Sequence, residues 1–480
     1  MNLGEAKPQK TRQLELPFMC RGEAPKGERS AEARPAKRAD EGSGASDLLE
    51  RVLLGANLKE ALARVRRNKG GPGADGMRTE ELAAHLRENW ARIREQLLAG
   101  TYQPEPVRRH EIPKSGGGLR QLGIPTVLDR FIQQALLQVL QPIFDPGFSR
   151  HSYGFRPGRS AHQALHAARR YVQEGRRYVV DVDLERFFDR VNHDVLMGRL
   201  AKRIGDVRVL GLIRRYLEAG VMVNGVVTER YEGTPQGGPL SPLLANVLLD
   251  EVDKELEKRG HVFVRYADDA NVYVASKRAG LRVMELLLRL FSRLKLRINE
   301  SKSAVDLATH RKFLGYSFWI GSGRTVRFRV SRKALASMKE RVRRITRRSG
   351  GRSVDQVVAD LRGYLVGWKN YFSLAETPVV FDRLDKWLRH RLRAIHLKQW
   401  KRGRTVYREL RARGASERVA AIAAADTRHW WKAAAMRLQI VLPTRYFDGL
   451  GVPRFAGATA TNRTARCGPA CRVVWQGSPG

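Results

Sequence analysis

Acidic side chains are scarce in this chain. Asp and Glu number 49 against 89 Lys and Arg, leaving a formal charge of +40 over 480 residues. Solubility alone needs far less, so the excess points to a polyanionic partner, nucleic acid first and an anionic membrane surface second. Long apolar runs are also missing. No uninterrupted stretch approaches 18 residues, which disfavours a membrane-spanning helix and weakens the membrane reading. The opening "MNLGEAKPQKTRQ" has no apolar core of the kind a secretory signal carries. Cysteine is nearly absent. Cys20, Cys467 and Cys471 lie in segments expected to be tails, which argues against a disulfide framework and fits a reducing, cytoplasmic location. Two thiols alone do not make a tetrahedral zinc site.

What is present is ordered along the chain. Residues 1–47 are rich in Lys, Arg, Glu, Pro, Ala and Gly and read as a disordered basic tail. Helical patterning begins in "DLLERVLLGANLKEALARVRRNKGG" and is broken by "GGPGADG". "VLDRFIQQALLQVLQPIF" has apolar groups at three- and four-residue spacing and predicts a helix with a buried face. "YVVDVDL" and "HVFVRYA" predict strands. After Gly321 the character changes: residues 321–410 hold 24 Lys/Arg against 7 Asp/Glu, on helical periodicity interleaved with Tyr364, Trp368, Tyr371, Phe372, Trp387 and Trp400. The expected layout is a mixed α/β body over 48–320, a basic helical region over 321–415, a basic helical extension over 416–454 and a loose tail over 455–480.

The few carboxylates are unevenly placed. "HVFVRYADDANVYVAS" predicts a hairpin, with Val262, Val264 and Tyr266 alternating on one side and Asp268 and Asp269 at the turn. Aspartate is common in turns because its side chain bonds nearby backbone, so this stretch alone has a bland explanation. "YVVDVDLERFFDRVNHD" alters the balance by putting Asp181 and Asp183 on one face of an apolar strand. Strand interiors are poor in Asp, and an unpaired buried charge is costly. Two such strands side by side would bring Asp183 close to Asp268 and Asp269. Carboxylates at contact distance repel unless cations sit among them, and magnesium suits oxygen ligands. Such a site fits phosphoryl or nucleotidyl transfer by a pair of metal ions.

"EGTPQGGPLSPLLANVLLDEVDKEL" predicts a stiff Gly/Pro loop over 235–239, then a helix capped by Ser241 with Pro242 at its first position. An ordinary loop into a helix would read the same way. The ordered series "DVDLERFFD", "GTPQGGPLSPLLANVLLD", "YADD" and "RKFLGY", however, resembles the reverse transcriptases encoded by bacterial group II introns. Upstream, "NKGGPGADGM", "IPKSGGGLRQLGIPTVLDRFIQQAL" and "HSYGFRPGRSAHQAL" resemble the same family; downstream, "LRGYLVGWKNYF", "FDRLDKWLRHRLR" and "KQWKRGRT" resemble its maturase-specific region. The likeness covers roughly residues 50–450.

The resemblance implies an α+β right-hand polymerase: fingers and a palm with an antiparallel sheet, followed by an α-helical thumb or maturase domain. It implies Asp183, Asp268 and Asp269 as ligands of two Mg2+ ions, with the Leu184 carbonyl beside them. Phe188 matches the position that excludes a ribose 2′-OH and so selects deoxynucleotides, and Gln236 the position that touches the incoming nucleotide. Arg108, Lys114 and Arg120 would hold the triphosphate, Arg120 having the alternative of a plain phosphate-facing surface residue. Lys302, in "NESKSAV", sits in a shared block without a firm role. Lys401, Arg402 and Arg404 are the candidate RNA contacts. The interleaved aromatics serve either as stacking platforms for unpaired bases or as the core of a helical bundle. Many relatives carry a C-terminal endonuclease rich in His and Cys; nothing between Phe455 and Gly480 resembles it, so cutting of the second DNA strand is expected to be absent.

The function implied is an RNA-directed DNA polymerase of a mobile element. It would bind its group II intron RNA, assist splicing, copy an RNA template from a DNA primer using dNTPs, and act at a DNA target without involving a membrane. Two alternatives stand beside it. One is a splicing factor with an idle polymerase site; the other is a related reverse transcriptase used in host defence.

Overall fold

A computed structural model describes residues 47–456 except 114–118, 224–225, 229–230, 236, 426–430, 432–433 and 435–437. The expected tails, the three cysteines, Lys114 and Gln236 thus lie outside the described residues, apart from Asp47, Phe455 and Ala456. The chain forms two compact units. One runs to Ala164 and resumes over Val180–Val305; the other comprises Leu165–Val179 and residues from Asp306 onward.

In the first unit, the segment with the expected helical patterning forms two helices, Leu48–Val52 and Gly55–Asn68, with Leu54 extended between them. The helix Val127–Phe144 buries residues around much of its circumference, including Phe131, Ile132, Leu136 and Leu140. Thr126 caps it by accepting the Asp129 N–H at 3.1 Å. Strand β1 (Val107–Pro113) pairs antiparallel with β2 (Leu119–Ile124). Strand β3 (Tyr178–Val182) belongs to a different sheet. Strands β4 (Val221–Val223) and β5 (Val226–Thr228) extend the first sheet in the order β2-β1-β4-β5, with β1 and β4 parallel. Strands β6 (Val262–Tyr266) and β7 (Asp269–Val274) form the expected antiparallel hairpin, and with β8 (Ala304–Leu307) the second sheet has the order β6-β7-β3-β8.

The alternation expected for β6 is not realised. Phe263, Val264 and Arg265 are all buried, because both faces of the strand are covered, while Val262 and Tyr266 at its ends are half-buried.

In the second unit, β9 (Lys312–Phe313), β10 (Tyr316–Ile320) and β11 (Val326–Val330) form an antiparallel sheet. The change of character after Gly321 falls in the turn between β10 and β11, where the Gly321 N–H donates to the Thr325 carbonyl. The boundary where the composition changes is therefore the turn of a hairpin, both strands of which belong to this unit. Long helices follow over Arg332–Ile345, Val354–Tyr371 and Pro378–Trp400, then Gly403–Ala412 and Glu417–Ala425. Ser353 and Gln356 form a reciprocal capping box at the start of the second. No helix among the described residues is long and apolar enough to cross a membrane.

Candidate active site

The hairpin reaches its tip with two loop residues, Ala267 and Asp268, closed by the Tyr266–Asp269 pair. Ala267 adopts φ 59°, a left-handed conformation costly for a residue with a Cβ. The tip is pressed from below by Gly154. A Cβ there would stand 2.9 Å from the Tyr266 carbonyl carbon and closer still to the Ala267 nitrogen, so only glycine fits. Residues 151–153 also bond to β6: the Arg265 N–H donates to the His151 carbonyl and the Tyr153 N–H donates to the Arg265 carbonyl, each at 2.9 Å. Asp269 accepts from Asn271 Nδ2 at 3.3 Å, and both tip carboxylates are half-buried.

Asp183 is the residue after β3, the strand next to β7 in the sheet. Its main chain is fixed from a distant segment. The Asn299 N–H donates to the Asp183 carbonyl at 2.8 Å, and the Asp183 N–H donates to Ser303 Oγ at 3.0 Å. Leu184, buried, bridges to Ile298, and the Glu185 N–H donates to the Arg297 carbonyl. Lys302 Nζ lies 3.4 Å from Asp183 Oδ1, with the two side chains 63% and 47% exposed. At that exposure the pair is screened and contributes little to stability, so the carboxylate stays available to a competing cation. Lys302 thus gains a location beside a proposed ligand, and Ser303 is a residue the sequence reading missed. Its contact with Asp183 spans 120 positions, and no local pattern announces it.

Phe188 sits in a 3-10 turn, Phe187–Asp189, entered through Arg186 at φ 46°. Its carbonyl accepts from the Thr234 N–H at 2.7 Å. Gly233, at φ 91°, passes so close that a Cβ would meet the carbonyl oxygens of Asp189 and Phe188 at 2.8 and 2.9 Å. The glycine-rich loop is therefore bonded directly to the Phe188 turn. Ser241 departs from expectation. The helix Ser241–Lys258 starts with Leu240 as its cap residue, and Ser241 Oγ turns back to donate to the Pro235 carbonyl and to accept from Thr234 Oγ1. The hydroxyl braces the loop instead of capping the helix.

Beyond Pro235 the loop meets β2. A Cβ on Gly237 would be 2.7 Å from the Gly123 carbonyl oxygen. Arg120 lies on β2 opposite Ile112, and half-buried Arg108 lies on β1 opposite Ile124 and beside Met222. The backbone thus links three of the expected nucleotide-contacting places: the Phe188 turn, the loop containing position 236, and the end of the strand that carries Arg120. Arg108 is placed on the neighbouring strand of that sheet.

Among the described residues no group of three or more His, Cys, Asp or Glu side chains forms a ready metal cage. Magnesium seldom uses one. It keeps several waters and binds through one or two carboxylates plus substrate phosphate oxygens. Asp183, which is solvent-accessible, and the tip pair offer only carboxylate oxygens, the donor type magnesium takes, and no thiolate or imidazole.

In the second unit, Lys401, Arg402 and Arg404 are exposed at the turn between the helices Pro378–Trp400 and Gly403–Ala412, with Lys401 at φ 55°. The aromatics divide. Trp368 and Phe372 are buried, with ring centroids 4.6 Å apart, and Trp368 stands edge-on to Phe455. Trp387 is half-buried and ringed by Lys339, Arg343 and Arg391 at 5.7–5.9 Å.

Comparison with known proteins finds two family models that match parts of the chain. Residues 112–318 match the family described as reverse transcriptase (RNA-dependent DNA polymerase), and residues 335–414 match the group II intron, maturase-specific domain. Protein YkfC of Escherichia coli (strain K12) is 43% identical over 35% of this chain and 45% of its own length. The group II intron-encoded protein LtrA of Lactococcus lactis subsp. cremoris is 44% identical over 33% of this chain and 27% of its own length. The putative COX1/OXI3 intron 1 protein of Saccharomyces cerevisiae is 27% identical over 47% of this chain and 34% of its own. The chain therefore spans less than half the length of these relatives. It contains a reverse transcriptase domain joined to a group II intron maturase-specific domain, and group II intron-encoded proteins are its relatives.

Proposed function

We propose that the protein is an RNA-directed DNA polymerase that also binds the group II intron RNA encoding it and assists splicing and mobility of that intron. The observation that carries the reading is the succession of the two family matches, 112–318 and 335–414, in one strongly basic chain. Asp183, Asp268 and Asp269 would hold two Mg2+ ions, with the Leu184 carbonyl as a further oxygen. When bound, the ions neutralise charge on the phosphates and on the attacking and leaving oxygens. The rest is positioning by this chain. Phe188, braced through its carbonyl by Thr234, would close the space a ribose 2′-OH needs. Arg108, Lys114 and Arg120 would hold the triphosphate, and Gln236 would touch the incoming dNTP.

Intron RNA would be held separately, by the exposed Lys401–Arg404 turn and the cation-ringed Trp387. The substrates would be an RNA template with a DNA primer, a DNA target and dNTPs. The cysteine-poor composition supports a cytoplasmic site of action. The test is Asp268→Ala with Asp269→Ala. Primer extension on an RNA template should vanish while intron RNA binding survives; cDNA synthesis by the variant would refute the metal assignment.

A further inference from the structure

Arg265 precedes the tip carboxylates Asp268 and Asp269 by three and four residues, and its side chain is 3% exposed. Its hydrogen-bond partners lie within the first unit. Nε donates to Asp253 Oδ1 and Oδ2 at 2.9 and 3.0 Å, and one terminal nitrogen donates to Asp253 Oδ2 at 2.6 Å. The other terminal nitrogen donates to Asn246 Oδ1 and to the Ala267 carbonyl, both at 2.9 Å. Asn246 Nδ2 donates in turn to the Gly154 carbonyl at 3.0 Å, beneath the tip. Asp253 and Asn246 are both on the helix Ser241–Lys258, so that helix grips the hairpin loop through one guanidinium.

Stability alone does not account for this arrangement. A buried ion pair replaced by well-packed apolar residues usually leaves stability unchanged or raised. What the apolar pair could not supply is a directed donor to the Ala267 carbonyl. That carbonyl belongs to the peptide plane whose nitrogen is Asp268, so fixing it fixes the origin of the Asp268 side chain. A donor to that carbonyl also restrains ψ of Ala267, the residue that turns the tip with a left-handed φ. We propose that Arg265, held by Asp253 and Asn246, is a positioning residue that sets the direction of the Asp268 and Asp269 carboxylates toward the metal ions. The proposal rests on reading those two aspartates as metal ligands.

Three full-length variants test it: Asp253→Leu with Arg265→Met, which removes the pair and keeps the volume apolar; Arg265→Lys, which keeps the charge but not the fork; and Asp268→Ala with Asp269→Ala. Thermal melting reports folding, and Arg265→Lys serves if the apolar double variant does not fold. Mn2+ binding to the substrate-free protein is followed by electron paramagnetic resonance, alongside kcat and template–primer affinity. The expected result is a wild-type melting temperature, a Mn2+ dissociation constant raised 10–100-fold, kcat lowered comparably and template–primer affinity unchanged. Wild-type Mn2+ affinity and kcat in a folded Arg265 variant, with binding lost in the Asp268/Asp269 variant, would overturn the positioning role alone. Retained Mn2+ binding in the Asp268/Asp269 variant would overturn the ligand assignment and the positioning role with it.

Discussion

Asp129 should make the first unit less stable as pH rises through the weakly acidic range. Its carboxylate is 1% exposed and accepts from Thr126 Oγ1 at 2.7 Å, Tyr102 Oη at 2.8 Å and the Glu105 N–H at 3.2 Å. Burial pushes it up from 3.8 to about 6, against the opposing pull of those donors. The folded state therefore holds the Asp129 proton more tightly than the unfolded chain. The stabilisation is complete below pH 3.8 and is lost as pH climbs through about 6. A difference near two units corresponds to about 3 kcal/mol. Asp129→Asn removes the ionisation and keeps one acceptor oxygen. Relative to the wild type, the variant should gain about 3 kcal/mol between pH 4 and pH 7.5. At this size that is roughly 6–12 °C in melting temperature. Paired calorimetric scans at several pH values read the difference directly. A gap between variant and wild type that does not change with pH would refute the reasoning.

Other perturbations have equally definite outcomes. Gly154→Ala drives a methyl into the Tyr266–Ala267 backbone and should cost about 1–3 kcal/mol. It should also lower polymerisation more than RNA binding, as filter binding beside primer extension would show. Replacing Lys401, Arg402 and Arg404 with Ala should weaken intron RNA binding. The slope of log affinity against log salt should become shallower by about 2 if each contacts one phosphate of unpaired RNA; an unchanged slope would place the RNA elsewhere. Arg389, 1% exposed, joins Asp385 and Asp448. Arg389→Met should destabilise the second unit by about 3–5 kcal/mol, measured by urea unfolding, because it leaves the buried Asp385 carboxylate without its cation, held among the described residues only by the Phe455 and Ala456 N–H groups.

The parts legible in sequence were those fixed by short-range chemistry. The β6–β7 hairpin was visible because strand-forming residues flank a compact polar turn. The helix Val127–Phe144 was visible from its apolar spacing. The misreadings arose where distant groups set the outcome. Ser241 has the composition of a cap, but its hydroxyl is claimed by Thr234 and Pro235. Asp183 is anchored by Asn299 and Ser303, which only the folded sheet brings near it. Arg265 looks like one more cation in a basic chain until its burial against Asp253 is seen. Trp368 and Phe372 carry the same letters whether they stack on bases or, as here, fill a core. The coupling of Phe188 to the glycine-rich loop was likewise hidden, since it runs through main-chain atoms.

The central claim is that carboxylates from β3's end and the β6–β7 tip share a pair of metal ions. A crystal of the protein with template–primer, dNTP and Mn2+, read by anomalous scattering, tests it most directly. The account predicts two peaks about 3.5–4 Å apart, bound by oxygens of Asp183, Asp268 and Asp269. Asp183 standing more than about 10 Å from the tip carboxylates, too far to share ions at that spacing, would contradict it.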